Sequence, residues 1–182
     1  MPFDKAFVKL KGKYMIEIIY EILMGCFKNV RLCADSGERF RAFDYEVIED
    51  IIIDRAGPAV GIHSALSKAT TKYVFLLACD MPLADPLHIE FMKQTLRHND
   101  YIPDALIPMN KGYIEPLYSF YSVDCAGIFQ EEIMAGNYKI HEILKKCNVL
   151  YMDEKHSKVY DENLAMFTNI NTMEDLETFY DR

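Results

Sequence analysis

Residues 73–79, YVFLLAC, form an uninterrupted apolar run in the middle of the chain. The run has the length of a strand, and its lack of polar alternation is typical of a parallel strand that is buried on both faces. Such a strand requires helices above and below its sheet. It is also far too short to span a bilayer. We therefore expect the chain to fold around a buried, largely parallel sheet.

Helices and strands are expected to alternate along the rest of the chain. Apolar residues at helical spacing from Met15 to Leu23 predict a first helix that Gly25 terminates as a C-cap. Asp85 is expected to N-cap a later helix, and Thr172 with Asp175 to open the last one. The other helices are expected over residues 58–69, 86–96, 124–135 and 140–146. The other strands are expected over residues 29–34, 45–48, 105–108, 115–121 and 149–152.

This alternation predicts an α/β fold with a mostly parallel, mixed sheet that carries helices on both faces. Pro116, which lacks an N–H, should lie near a sheet edge or at the start of a strand. The length of 182 residues and the absence of a linker predict one domain over residues 1–182.

Charge and cysteine content narrow the classes of partner. The chain has 20 basic and 28 acidic residues, a formal net charge of -8, and no run of Lys or Arg. Polymeric nucleic acid and anionic membranes are therefore unlikely partners by charge, whereas a small polyphosphate can bind through a few local cations and a metal ion.

Five widely spaced cysteines without a CxxC pair indicate neither a disulfide framework nor a zinc site. This cysteine pattern predicts a location in a reducing cytoplasm. No signal peptide is recognised ahead of the first helix.

Asp80 is the clearest candidate for a functional residue, because it directly follows the apolar run. An ionised carboxylate there is costly unless it emerges at the rim of the sheet or meets a cation. In open α/β sheets, ligands bind beyond the carboxyl ends of the strands. A lone carboxylate with room for phosphate oxygens is the usual protein contribution to a Mg²⁺ site. By position alone, an Asp that caps the next turn is an equally good interpretation.

Three weaker candidates lie elsewhere in the chain. Lys5 suits a phosphate, although a single lysine near a terminus is usually solvated. The segment GPAVG at 57–61 allows a ligand to approach backbone N–H groups at a helix start, or forms a simple turn. Asn169 and Asn171 could orient a ligand, although such residues more often form turns and N-caps.

Five segments, taken in order, resemble those of the molybdenum-cofactor guanylyltransferases. They are DKAFVKLKGK at 4–13, VIED at 47–50, DRAGPAVG at 54–61, LLACDMP at 76–82 and NINTMEDL at 169–176. Together they cover nearly the whole chain. The resemblance implies the Rossmann-like, glycosyltransferase-A type fold of the nucleotide-diphospho-sugar transferases.

The same resemblance implies a reaction and its participants. The family transfers GMP from GTP to the phosphate of molybdopterin, uses Mg²⁺ as cofactor and releases pyrophosphate. Other proteins of molybdenum-cofactor biosynthesis are expected partners. Phosphoryl transfer mainly requires positioning and neutralisation of charge, which a lysine and a carboxylate-bound Mg²⁺ can provide.

The resemblance also assigns roles to individual residues. It implies that Lys5 and Asp80 are catalytic and contact the nucleotide, and that Asp80 holds the metal ion. The remaining nucleotide-binding positions are Asp35, Asp54 and Gly61, of which Asp35 stands where the family usually has Asn. The substrate-binding positions, near the expected pterin, are Asn169 and Asn171.

The family opens with a strand and a loop that read approximately LAGGxSxRMGxDK, and backbone N–H groups of this loop hold the phosphates. Met1 falls on the Met of that motif, and Pro2 replaces its Gly. The resemblance therefore implies that the first strand and the phosphate loop are missing from this sequence. Their loss would leave unpaired backbone groups and an apolar groove near the centre of the sheet.

Two other functions fit the same residues. One is a cytidylyltransferase for the same cofactor, or a nucleotidyltransferase for another phosphorylated metabolite. The other is a non-catalytic relative that binds a partner or the pterin. Pro2, Asp35 and the missing loop favour the non-catalytic relative, whereas Lys5, Asp54 and Asp80 argue against it.

Overall fold

The computed structural model describes residues 5–10, 12–53, 57–170 and 175. Its α-helices are α1 (Met15–Cys26), α2 (Pro58–Ser67), α3 (Pro86–His98), α4 (Cys125–Met134), α5 (Ile140–Ile143) and α6 (Glu154–Ser157). Short 3₁₀ helices cover Lys5–Phe7, Gly37–Phe40, Leu144–Lys146 and Ala165–Phe167. No helix among the described residues is both long and apolar enough to cross a membrane.

The strands of the described residues form three separate sheets. Strands β1 (Lys9–Leu10) and β2 (Lys13–Tyr14) are antiparallel, and strands β3 (Leu32–Ala34) and β4 (Val47–Glu49) are parallel. The largest sheet contains β5 (Tyr73–Leu77), β8 (Tyr118–Ser122), β6 (Ala105–Asn110), β7 (Tyr113–Ile114) and β9 (Val149–Met152).

The largest sheet is mixed, as the sequence predicts. Strand β8 lies between β5 and β6 and is antiparallel to both, and β9 is parallel to β6. Strands β5, β6 and β9 therefore run in one direction, and their carboxyl ends share one edge of the sheet. Residues that follow these strands are placed where ligands of open α/β sheets bind.

Helices cover the sheet on both faces. Ala105, Ile107 and Tyr121 point to one face and pack with α2 and α4. Leu106 and Phe120 point to the other face and pack with α1 and α3. Alternate residues of one strand thus reach opposite layers, as the period of two in a strand requires. The predicted α/β layering is confirmed.

Several element ends differ from the sequence prediction. Gly25 does not terminate α1, which continues to Cys26, and the N–H of Phe27 still donates to Leu23 O at 2.8 Å. The glycine cap was wrong because Phe27 leaves the helix in an extended conformation and stacks on Phe75. Strand β5 ends at Leu77, two residues before the end of the apolar run.

Strand β8 begins at Tyr118, three residues later than predicted, and Pro116 lies just before it. The helix predicted over 140–146 is divided into α5 and a 3₁₀ turn. The capping box of Thr172 and Asp175 falls largely on residues outside those described, since Thr172 is not among them.

A groove of about 340 Å³ separates β3 from β5. Cys33 and Ile48 line one flank, β5 lines the other, and α1 and α2 contribute Leu23 and Ala65. Among the described strands, β5 pairs only with β8. Its five residues are consequently only half-buried. Both faces of β5 are covered as expected, since Val74 and Leu76 pack in one core layer and Phe75 and Leu77 in the other. The remaining exposure comes from the groove, which leaves one edge of β5 open.

Candidate active site

Lys5 and Asp80 form a direct ion pair beyond the carboxyl end of β5. Lys5 Nζ lies 2.9 Å from Asp80 Oδ2, and the two side chains are 35% and 15% exposed. Lys5 begins the first 3₁₀ helix, so a residue near the start of the chain reaches the end of the apolar strand. The structure thus brings together the two residues that the sequence predicts to be catalytic.

Asp80 is held by a tight turn and by a neighbouring segment. Met81 N–H donates to Ala78 O at 3.2 Å and closes the turn that follows β5. Ile170 N–H donates to Asp80 O at 2.8 Å. This bond holds the segment that contains the exposed Asn169, which is predicted to bind the pterin, against the turn that carries Asp80. Asn171 lies outside the described residues.

The ligand set around Asp80 fits Mg²⁺. No group of three or more His, Cys, Asp or Glu side chains that could hold a metal occurs in the described part of the chain. Mg²⁺ usually binds through one or two carboxylates and takes its other ligands from water and phosphate. Asp80 supplies hard oxygen ligands at a ligand-binding edge, and Lys5 donates to one of them, Oδ2. The residues present therefore suit Mg²⁺ that arrives with a polyphosphate.

Asp35 stands at the carboxyl end of β3, but its carboxylate is engaged locally. Its Oδ1 accepts hydrogen bonds from Ser36 N–H at 3.0 Å and from Arg39 Nη1 at 3.1 Å. The side chain is exposed and stabilises the turn into the Gly37–Phe40 helix. A contact between Asp35 and a nucleotide stays a prediction.

Asp50 is a candidate that the sequence analysis missed. It follows β4, and its N–H donates to Ala34 O at 3.1 Å, which places it beside Asp35. Its Oδ1 is buried and has no hydrogen-bond donor in the described structure. Burial raises the pKa of Asp50, a hydrogen bond from Ser64 lowers it, and the charge of Asp35 raises it again. An acceptor without a donor among the described residues can accept a hydrogen bond from an N–H or O–H group that enters this edge of the sheet.

The glycines of the GPAVG segment open helix α2. Gly57 is its N-cap and has φ +121°, a conformation that favours glycine. Gly61 lies in the helix, and a Cβ built there would meet no atom within 4 Å. Position 61 therefore borders open space, and its contact with a nucleotide stays a prediction. Asp54, which precedes this segment, lies outside the described residues.

Glu115 is a second residue that the sequence analysis missed. It lies between β7 and β8, and Asn110 Nδ2 donates to its Oε1 at 2.7 Å. Neither residue is conspicuous in the sequence, because the pair forms only when β6 and β7 fold into a hairpin. The Asn-Gly or Gly-rich turn that would reveal such a hairpin is replaced here by Lys111-Gly112.

Comparisons with known proteins agree with this architecture. The family model described as the MobA-like NTP transferase domain matches residues 1–153. The "Probable molybdenum cofactor guanylyltransferase" of Natranaerobius thermophilus is 35% identical over 97% of this chain and 87% of its own length. The "Molybdenum cofactor guanylyltransferase" of Syntrophotalea carbinolica is 33% identical over 97% of this chain and 83% of its own length.

A solved structure agrees as well. Molybdopterin-guanine dinucleotide biosynthesis protein A from Archaeoglobus fulgidus superposes with a TM-score of 0.84 at 29% identity, covering 97% of this chain and 88% of that one. The predicted nucleotide-diphospho-sugar transferase fold is thereby confirmed. With the family model matching most of its length, this chain belongs to the MobA-like NTP transferase domain family and is a nucleotidyltransferase.

Proposed function

We propose that this protein transfers GMP from GTP to the terminal phosphate of molybdopterin. The Lys5–Asp80 ion pair beyond the carboxyl end of β5 is the observation that carries the proposal. An oxygen of the acceptor phosphate attacks the α-phosphorus of GTP and forms the new P–O bond. The bond from that phosphorus to the α–β bridging oxygen breaks, and its electron pair leaves with pyrophosphate. The attacking phosphate is already ionised, so no general base is needed.

Lys5 and Asp80 supply what this reaction requires of the protein. Lys5 places a positive charge against the triphosphate, where charge develops on the leaving group. Asp80 would hold Mg²⁺, which when bound neutralises phosphate charge and aligns the phosphates. Asp80 in turn fixes the ammonium group of Lys5 before substrate arrives, because the two side chains are already in contact.

The nucleoside is assigned to the ends of β3 and β4. Asp50 Oδ1 is a buried acceptor in need of a donor there. Guanine offers an N–H and an amino group side by side, whereas cytosine offers only an amino group beside a ring acceptor. A carboxylate at this position therefore favours GTP over CTP. Asp35, Asp54 and Gly61 complete the proposed nucleotide site.

The phosphate loop is proposed to come from a strand and loop ahead of Lys5. The groove between β3 and β5 has the open edge of β5 on one side and apolar helix residues above and below, so an extended apolar segment fits it. A segment parallel to β5 would end at the edge where Lys5 lies, within reach of a short loop. Cys26, Cys33, Cys125 and Cys147 are free thiols, which suits the proposed location in a reducing cytoplasm.

Calorimetric titration with GTP and Mg²⁺ tests the proposal. The chain as it stands is compared with a version that carries an apolar strand and a loop of the LAGGxSxRMG type ahead of Lys5. We expect GTP to bind tightly to the extended version and weakly to the present chain. We expect CTP to bind to neither. Pyrophosphate release that depends on molybdopterin should follow the same order. If the extended version binds no nucleotide, the catalytic proposal fails and the non-catalytic alternative replaces it.

A further inference from the structure

The hairpin of β6 and β7 carries a fixed pair of polar side chains close to its turn. Asn110 ends β6, and its Nδ2 donates to Glu115 Oε1 at 2.7 Å. The backbone of Glu115 is held on both sides, because its N–H donates to Pro108 O at 2.9 Å and its carbonyl accepts from Tyr118 N–H and Ser119 Oγ. The Glu115 carboxylate is therefore oriented rather than free to rotate.

This pair lies at the same edge of the sheet as Asp80. In the antiparallel ladder of β5 and β8, Leu77 is opposite Tyr118, and Ala78 N–H donates to Leu117 O at 2.8 Å one step further. Asp80 follows Ala78 by two residues, and Glu115 precedes Leu117 by two residues. In extended backbone, two residues span about 7 Å. Both carboxylates thus leave neighbouring chain segments at one edge.

The pair contains more hydrogen-bond acceptors than donors. Asn110 Oδ1 is buried and lacks a donor among the residues that the structure describes. Burial raises the pKa of Glu115, and the bond from Asn110 only partly offsets this. The amide of Asn110 cannot be reversed without setting its oxygen against Glu115 Oε1. A ligand that brings N–H donors would relieve this imbalance.

An exposed aromatic ring stands on the same face of the hairpin. Tyr113 is paired with Asn110 in the ladder, and Glu115 follows Tyr113 by two residues, so all three share one face. The side chain of Tyr113 is 78% exposed. A planar heterocycle could stack on this ring while its edge meets the Glu115 carboxylate.

We propose that Glu115, positioned by Asn110, accepts hydrogen bonds from the 2-amino-4-oxopyrimidine ring of the pterin acceptor, and that Tyr113 stacks on that ring. Such a ring presents an N–H and an amino group side by side, which matches a carboxylate. Guanine has the same edge, but the nucleoside is assigned to β3 and β4. Those strands lie across the groove from β5, whereas β6 and β8 lie on its other side. This inference rests on the proposed function and adds a binding residue for its acceptor.

Fluorescence titration with two pteridines tests the inference on the chain as it stands. Neopterin has the 2-amino group, and its 2-oxo analogue of the lumazine type has an oxygen in that place. We expect the unmodified chain to bind neopterin roughly tenfold or more tightly than the analogue. Glu115→Gln should abolish this preference while leaving the melting temperature unchanged, since Gln can still accept from Asn110. Tyr113→Ala should weaken both ligands equally.

Glu142→Gln is the matched control, because Glu142 lies on α5 and pairs with Lys145. This change should leave both affinities unchanged. Equal binding of the two pteridines, or a preference that survives Glu115→Gln, overturns the inference. Absence of neopterin binding also overturns it. GTP titration of the extended version shows whether only the pterin inference fails or the proposed function fails as well. Retained GTP binding leaves the nucleotidyltransferase proposal intact, and loss of GTP binding removes it.

Discussion

Lys5 Nζ lies 2.9 Å from Asp80 Oδ2, although 75 residues separate the two in sequence. Both side chains retain contact with solvent, so the pair adds about 1 kcal/mol or less to the free energy of unfolding. Its geometry matters more than its energy, because it places a cation and a metal-binding carboxylate together at the carboxyl end of β5. Experiments can therefore distinguish the contribution of these two residues to activity from their contribution to stability.

Asp80→Asn should remove catalysis without unfolding the protein. In the version extended with the strand and loop, we expect Mg²⁺-dependent pyrophosphate release to fall about 100-fold or more. The free energy of unfolding should change by no more than about 1 kcal/mol, because only one partly exposed ion pair is lost. Initial rates at varied Mg²⁺ and urea denaturation measure the two effects. Asp100→Asn, at an exposed position, should change neither, and unchanged turnover in Asp80→Asn would refute the metal assignment.

Asp50→Asn should weaken nucleotide binding while sparing or improving stability. Burial raises the pKa of Asp50. The hydrogen bond from Ser64 lowers this pKa, and the negative charge of Asp35 raises it further. A folded-state pKa above the unfolded value gives stability that is present at low pH and lost as pH rises through it. The neutral amide avoids that loss, so the variant should be at least as stable as the unmodified chain at pH 7. GTP affinity of the extended version, measured by calorimetry, should fall roughly tenfold.

The exposed Asp44 provides the control for Asp50, since Asp44→Asn should leave both stability and GTP affinity unchanged. An Asp50→Asn variant that binds GTP normally would remove Asp50 from the nucleotide site.

His88 should make the fold sensitive to mild acid. The ring is buried, with Nε2 3.0 Å from Ser157 Oγ and Nδ1 3.4 Å from Tyr118 Oη. Burial lowers the pKa of His88 to about 4. Because the unfolded chain binds the proton more readily, stability should decline as pH falls from about 6.5 towards 4. The total loss should be on the order of 3 kcal/mol.

Urea unfolding at half-unit pH steps measures this slope. His88→Gln should flatten the slope, whereas His98→Gln, at an exposed position on the same helix, should leave it unchanged. A slope that persists in His88→Gln would assign the acid sensitivity to other groups.

Gly112→Ala should destabilise the hairpin that carries Asn110 and Glu115. Gly112 has φ +80°, and Lys111 before it has φ +50°, as a two-residue turn between antiparallel strands requires. An alanine at positive φ costs about 1 kcal/mol in backbone strain. Gly127→Ala is the matched comparison, because Gly127 lies in helix α4 with open space at its Cβ. That change should stabilise by up to about 1 kcal/mol, so thermal unfolding of the two variants should shift in opposite directions.

The sequence predicts features that depend on local pattern. The apolar run before Asp80 identifies β5 and the ligand-binding edge without any knowledge of pairing. Asp50 and Glu115 were not predicted, because their significance depends on which donors surround them in the folded chain. Asn110 reaches Glu115 only through the register of β6 and β7. Gly25 was misassigned because the packing of Phe27 on Phe75 outweighs the preference of glycine for a helix end.

Because one edge of β5 is open, hydrogen exchange along this strand depends on whether another segment covers that edge. Successive N–H groups of a strand point to opposite edges, so alternate amides of Tyr73–Leu77 face β8 and the others face the groove. Amide hydrogens that face β8 should exchange slowly with deuterium, and those that face the groove should exchange quickly. A fast-slow alternation along five consecutive residues would mark an empty groove. Uniformly slow exchange would mark a filled one, whatever segment fills it.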